Sequence, residues 1–106
     1  MPSDFVVILT TFPAEQDAEA LAKALVDERL AACVNILPEM RSVYAWQGKT
    51  ESGAERQLLI KTARSRVDAL EARLKQLHPY DVPEFVLIEI AGGSADYLSW
   101  LSDSTR

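Results

Sequence analysis

Phe5-Val6-Val7-Ile8-Leu9 is an unbroken β-prone run, and it constrains the fold of this chain more than any other feature. Successive side chains of a strand point to opposite faces, so a strand built from this run sends apolar groups to both sides of its sheet. Both faces then need cover. Just downstream, Pro13 suits the first position of a helix, Glu15 and Asp17 suit its positive end, and Ala18, Leu21, Ala22 and Leu25 recur at helical spacing. The pattern predicts a helix from about Pro13 to Arg29.

Cys33 to Leu37 reads as a second strand, which Pro38 interrupts without ending the extended path. Extension resumes from Arg41 to Gln47, where Ser42, Tyr44 and Trp46 share one face by period two. Gly48 to Gly53 reads as turn-rich, and Arg56 to Thr62 as a third strand that completes a long hairpin. A second helix has Ser65 as its candidate cap, with Asp68 three residues on. Val67, Leu70, Leu74 and Leu77 form its apolar stripe, and Pro79 stops it. Glu84 to Ile90 supplies a fourth strand, and Gly92-Gly93 releases the chain into a short helix bearing Tyr97, Trp100 and Leu101.

The order β-α-β-β-α-β predicts one α+β domain over residues 1–106, a ferredoxin-like split βαβ sandwich. Right-handed crossovers put both long helices on the same face of an antiparallel sheet. The other face is left bare. With first and fourth strands apolar on both sides, that face would expose a patch well beyond a few hundred Å2, so self-association is expected.

The 48% hydrophobic and 25% charged content of the 106 residues is that of a folding globular chain, not of a disordered one. A net charge of −5 and a pI near 4.8 argue against nucleic acid, whose phosphates are held by clustered Lys and Arg. The longest apolar run is far short of the roughly 20 residues of a spanning helix, so no membrane segment is expected. Met1-Pro2-Ser3-Asp4 offers no basic stretch ahead of the apolar run, which points to the cytoplasm. Cys33 is the lone cysteine, which excludes an intrachain disulfide and any Cys-x-x-Cys transfer loop.

Five ordered blocks then resemble a known family. They are Leu30-Ala31-Ala32-Cys33-Val34-Asn35-Ile36-Leu37-Pro38, Ser42-Val43-Tyr44-Ala45-Trp46-Gln47-Gly48, Ile60-Lys61-Thr62, His78-Pro79-Tyr80-Asp81-Val82-Pro83-Glu84 and Tyr97-Leu98-Ser99-Trp100. Together they closely resemble the CutA family of divalent-cation-tolerance proteins over nearly the whole chain. The resemblance implies a ferredoxin-like subunit, a homotrimer built through intersubunit β-pairing, and a link to tolerance of copper and other divalent metals. Thr50, where the family more often has an aliphatic residue, and Arg56 and Gln57, which open the third strand less hydrophobically, are mild departures at the hairpin.

The resemblance also places a candidate metal site at Cys33, His78 and Glu84. Thiolate and imidazole favour copper or zinc over magnesium or calcium, and a carboxylate can complete such a set. Cys33 and His78 have plainer readings, as a small buried hydrophobe and as a helix-end histidine suited to the negative end of the dipole, whereas Glu84 reads as functional, because a carboxylate at a strand start beside Pro83 needs a partner if an oligomer buries it. No cofactor is required, and copper or another divalent ion is the one the resemblance allows.

A second functional reading is a small-ligand-binding or signalling trimer, with Lys61, Tyr80 and Glu84 lining intersubunit clefts. Lys61 would pair with Glu84 or Glu89, or bind an anion. Tyr44, Trp46, Tyr80 and Trp100 read as packing and interface residues before a cofactor box, and Glu51 and Glu55 as solvated hairpin carboxylates. No catalytic residues are assigned. The loop expected at Thr10 to Ala14 lacks the arginine that acylphosphatase chemistry needs, and the lone His78 has no nucleophile beside it.

Overall fold

The computed structural model describes residues 3–106; Met1 and Pro2, part of the segment read for targeting, lie outside the described residues. The chain runs β1 (Phe5–Pro13), α1 (Ala18–Asp27), β2 (Cys33–Ile36), β3 (Met40–Trp46), β4 (Lys49–Ala63), α2 (Val67–Leu77), β5 (Val86–Glu89) and α3 (Ala95–Ser104). The sheet order is β2-β4-β1-β5, with β3 paired to the outer half of β4 and every pairing antiparallel. This is the split βαβ order expected from the sequence.

β1 alternates as its period demands: Val6, Ile8, Thr10 and Phe12 are buried, and Phe5, Val7, Leu9 and Thr11 are half-buried. Val6, Ile8 and Phe12 join Leu58 and Ile60 of β4, Leu21 and Leu25 of α1, and Leu70 and Leu74 of α2 in one core. The helix stripes are therefore those the spacing predicts. Val7 and Leu9 face the other side, opposite Lys61 and Leu59 of β4 and Ile88 and Val86 of β5. On that side Val86 keeps 48% and Ile88 49% of its surface exposed.

Several boundaries move. β1 continues through Pro13, which faces Glu55 in the ladder instead of opening α1, so Thr10 to Pro13 is strand where a loop was expected. A proline is tolerated where a strand ends, because no further donor is needed. α1 starts at Ala18 behind Asp17, whose carboxylate accepts the Ala20 N–H at 3.0 Å. α2 has no side-chain cap: a 3-10 turn at Arg64–Arg66 leads into it, and Ser65 is not its N-cap.

The stretch expected to be turn-rich is mostly β4. Only Gln47 and Gly48 turn, with φ of 49° and 77°. Two consecutive positive φ values match the twist of the flanking strands, which lets a two-residue loop close the hairpin.

Candidate functional site

α2 ends because Pro79 forces the residue before it out of the helical region, and His78 is extended at φ −87°, ψ 136°. That change of direction carries the chain around β1 beyond Leu9, the last β1 residue paired with β5. Side chains reach the β1 carbonyls there. His78 Nε2 lies 2.7 Å from the Thr11 carbonyl oxygen, and Gln57 Nε2 donates to the Thr10 carbonyl at 2.9 Å.

His78 is buried at 7% exposure, edge-on to Phe12, and stacked at a tilt with Tyr80. Its Nδ1 accepts the Tyr80 backbone N–H at 3.1 Å. A nitrogen that accepts an amide proton carries none, so Nε2 holds the ring hydrogen and donates it to Thr11. Both ring nitrogens are engaged. Ligating a metal would require one of these bonds to break.

Tyr80 donates its hydroxyl to Glu55 Oε2 at 2.6 Å, and Gln57 Nε2 donates to Glu84 Oε2 at 2.9 Å. The 79–84 segment is thus tied to β4 at two points. Between it and the β3–β4 hairpin lies a cleft of about 780 Å3, into which Tyr44, Trp46, Tyr80, Glu55, Asp81 and Glu84 project. The sequence placed Glu55 in solvent at the hairpin; it is only 8% exposed. The expected turn over 48–53 hid this, because β4 is already strand there and Tyr80 folds over Glu55. Period two places Glu55 with Gln57, Leu59 and Lys61 on the face away from the helices, so only the return of Tyr80 across it accounts for its burial.

Burial first, and then the hydrogen bond and charge of Glu55, push the Tyr80 phenol well above its ordinary pKa. A raised folded pKa stabilises the fold fully below the unfolded value near 10, and the contribution is lost as pH climbs through the higher folded value. Tyr80→Phe is expected to cost about 1–3 kcal/mol at neutral pH, since it leaves a buried carboxylate without its donor. It should also flatten the loss of stability in alkali, read from urea denaturation at neutral pH and above pH 10.

Cys33 and Lys61 stand elsewhere. They face each other across β2 and β4, and the Cys33 thiol has only a weak 3.8 Å contact to Asn35 Oδ1. Lys61 Nζ lies 5.9 Å from the Tyr97 ring centre and makes no ion pair among the described residues. The partners proposed for it are occupied: Glu89 by Arg64 and Glu84 by Gln57. Four strand residues, or about 13 Å, separate Lys61 from Gln57 along β4. Cys33 is therefore remote from His78 and Glu84 within one chain, and no three His, Cys, Asp or Glu residues gather in metal-binding geometry among the described residues.

Residues 6–104 match the family model described as CutA1 divalent ion tolerance protein. The chain belongs to this family. It is 50% identical over 103 residues to the divalent-cation tolerance protein CutA of Pectobacterium atrosepticum, covering 97% of this chain and 94% of that protein. Among solved structures it is similar to the divalent cation tolerance protein Cut A1 of Thermus thermophilus, with TM-score 0.92 and 49% identity over 96% of this chain and 99% of that one. A third relative, named Protein CutA 1, chloroplastic, from Oryza sativa subsp. japonica, is 46% identical over 95% of this chain and 57% of that protein. The name of this last relative places it in the chloroplast. In this chain, no helix among the described residues is long and apolar enough to cross a membrane.

Proposed function

We propose that the chain acts as a homotrimer that binds or responds to copper or another divalent cation, without a reaction of its own, and that the metal ligands come from more than one subunit. The exposed apolar strip of Val86 and Ile88 beside Val7 and Leu9 carries this reading. Such a strip on an edge strand favours pairing with a second copy, because both apolar surface and free backbone groups are then covered. Cys33 lies toward one end of the sheet and Glu84 toward the other, so a shared site draws its thiolate and carboxylate from different copies. A cytoplasmic setting, in which a free thiol stays reduced, is part of the same proposal.

Subunit mixing tests it. Cys33→Ser and Glu84→Gln should each lose copper binding by calorimetry, and trimers reassembled from a mixture of the two should recover a fraction of the sites. Undiminished copper affinity in both single variants would remove these residues from the metal site.

The cleft beneath the hairpin favours a second reading, that of a small-ligand-binding protein. Tyr80 and Glu84 line it and Lys61 does not. Within one chain no cationic side chain among the described residues lines the cleft, so in the intersubunit reading Lys61 would reach it from a neighbouring copy.

A further inference from the structure

A residue in the left-handed region follows α1, and it is an arginine. Arg29 has φ 61°, a conformation that disfavours an L side chain by roughly tenfold and that glycine enters freely. The turn is otherwise an ordinary helix end: the Arg29 N–H donates to the Val26 carbonyl, and the Leu30 and Ala31 N–H groups both donate to the Leu25 carbonyl. None of those bonds calls for a long cationic side chain. Glycine would suit the backbone better.

The side chain accounts for the arginine. Its Nε donates to the Arg106 carbonyl and its Nη2 to the Asp103 carbonyl, both at the end of α3. The last carbonyls of a helix have no partner within it and form its negative end, so a guanidinium there supplies both donors and charge. The Arg29 carbonyl in turn accepts Arg66 Nε, from the 3-10 turn that leads into α2. One residue thereby joins the ends of three helices. Past its cap Ser94, α3 has no other hydrogen bond to the rest of the chain among the described residues, since the Thr105 hydroxyl is used within the helix on the Leu101 and Ser102 carbonyls.

We propose that Arg29 is a clasp: α3 opens as a unit of its own, and the guanidinium decides whether its last turn is docked or released. Tyr97 stands over Lys61 only while α3 is docked, so the clasp also sets how free Lys61 is. The proposal goes beyond the metal reading and needs neither copper nor the cleft.

Amide hydrogen exchange on the full chain tests it, read by peptide with wild type and variants at matched oligomeric mass. Arg29→Gly removes the guanidinium while relieving the left-handed turn, so exchange in α3 should quicken about tenfold or more and that of β1 and β4 should stay as in wild type. Arg29→Lys keeps the charge and the reach but offers one ammonium in place of the two-pronged donor, and should quicken α3 less; it supplies the test should Arg29→Gly fail to fold. Arg73→Gln, which breaks the link from α2 to Glu28 beside the same turn, is the control that should leave α3 unchanged. Wild-type exchange of α3 in Arg29→Gly, or in Arg29→Lys where that alone folds, overturns the proposal. So does quickening of equal size in α3, β1 and β4, which would mean that α3 opens only with the whole fold, and so does the same quickening of α3 in Arg73→Gln.

Discussion

Replacement of His78 by alanine is expected to lower the free energy of unfolding by about 3–5 kcal/mol, through lost packing and lost hydrogen bonds together. The ring fills space between Phe12 and Tyr80, and its removal opens a cavity beneath β1. Two backbone groups lose partners at once: the Thr11 carbonyl and the Tyr80 N–H. The 79–84 segment would lose its first anchor, and the Tyr80–Glu55 bond with it. His78→Asn should recover part of the loss, because its side-chain oxygen can accept the Tyr80 N–H. Urea denaturation at one fixed protein concentration checks both variants, since assembly makes stability depend on concentration. A cost below about 1 kcal/mol for alanine would mean that the ring is not the structural clasp its bonds imply.

Ile88→Glu is expected to turn the proposed oligomer into monomer at micromolar concentration. Ile88 sits on the bare face opposite Val7, in a strip where any closed assembly must bury apolar side chains. Symmetry repeats the substitution in every copy, so each interface would hold an unpaired carboxylate. At about 3 kcal/mol or more for each such charge, association weakens by over a hundredfold. Light scattering reads the mass directly, and Val26→Glu, on the exposed side of α1, serves as the control that should leave it unchanged. A wild-type mass in Ile88→Glu would place the assembly surface elsewhere.

The core was legible because it obeys period. Ala18, Leu21, Ala22 and Leu25 on α1, and Leu70 and Leu74 on α2, are buried as their spacing requires. The bare face was legible for the same reason, since an apolar run such as Phe5 to Leu9 cannot hide both sides beneath two helices. Local chemistry misled where several solutions were open. Pro13 is as acceptable at the end of a strand as at the start of a helix, and Ser65 can cap a helix or sit in the turn before one. Least legible were contacts made across the chain. The bond between His78 and Thr11 and the burial of Glu55 under Tyr80 join residues far apart in sequence, and no local pattern records them. Cys33, His78 and Glu84 lie in the quoted blocks, yet their separation within one chain became visible only once β4 was laid between them.

β4 is the strand on which the others depend, pairing with β1, β2 and β3 along its 15 residues. Its partnerships differ greatly in the length of chain they close. Trp46 meets Lys49 across a two-residue turn, whereas Phe5 meets Ala63 only after α1, β2 and β3 between them have found their places. Short loops close at small entropic cost and within microseconds, and long ones wait. The hairpin is therefore expected to form while β1 is still free, ahead of the insertion of β1 between β4 and β5. Until it occurs, the row of backbone groups on β4 that β1 will cover is open to any other extended chain.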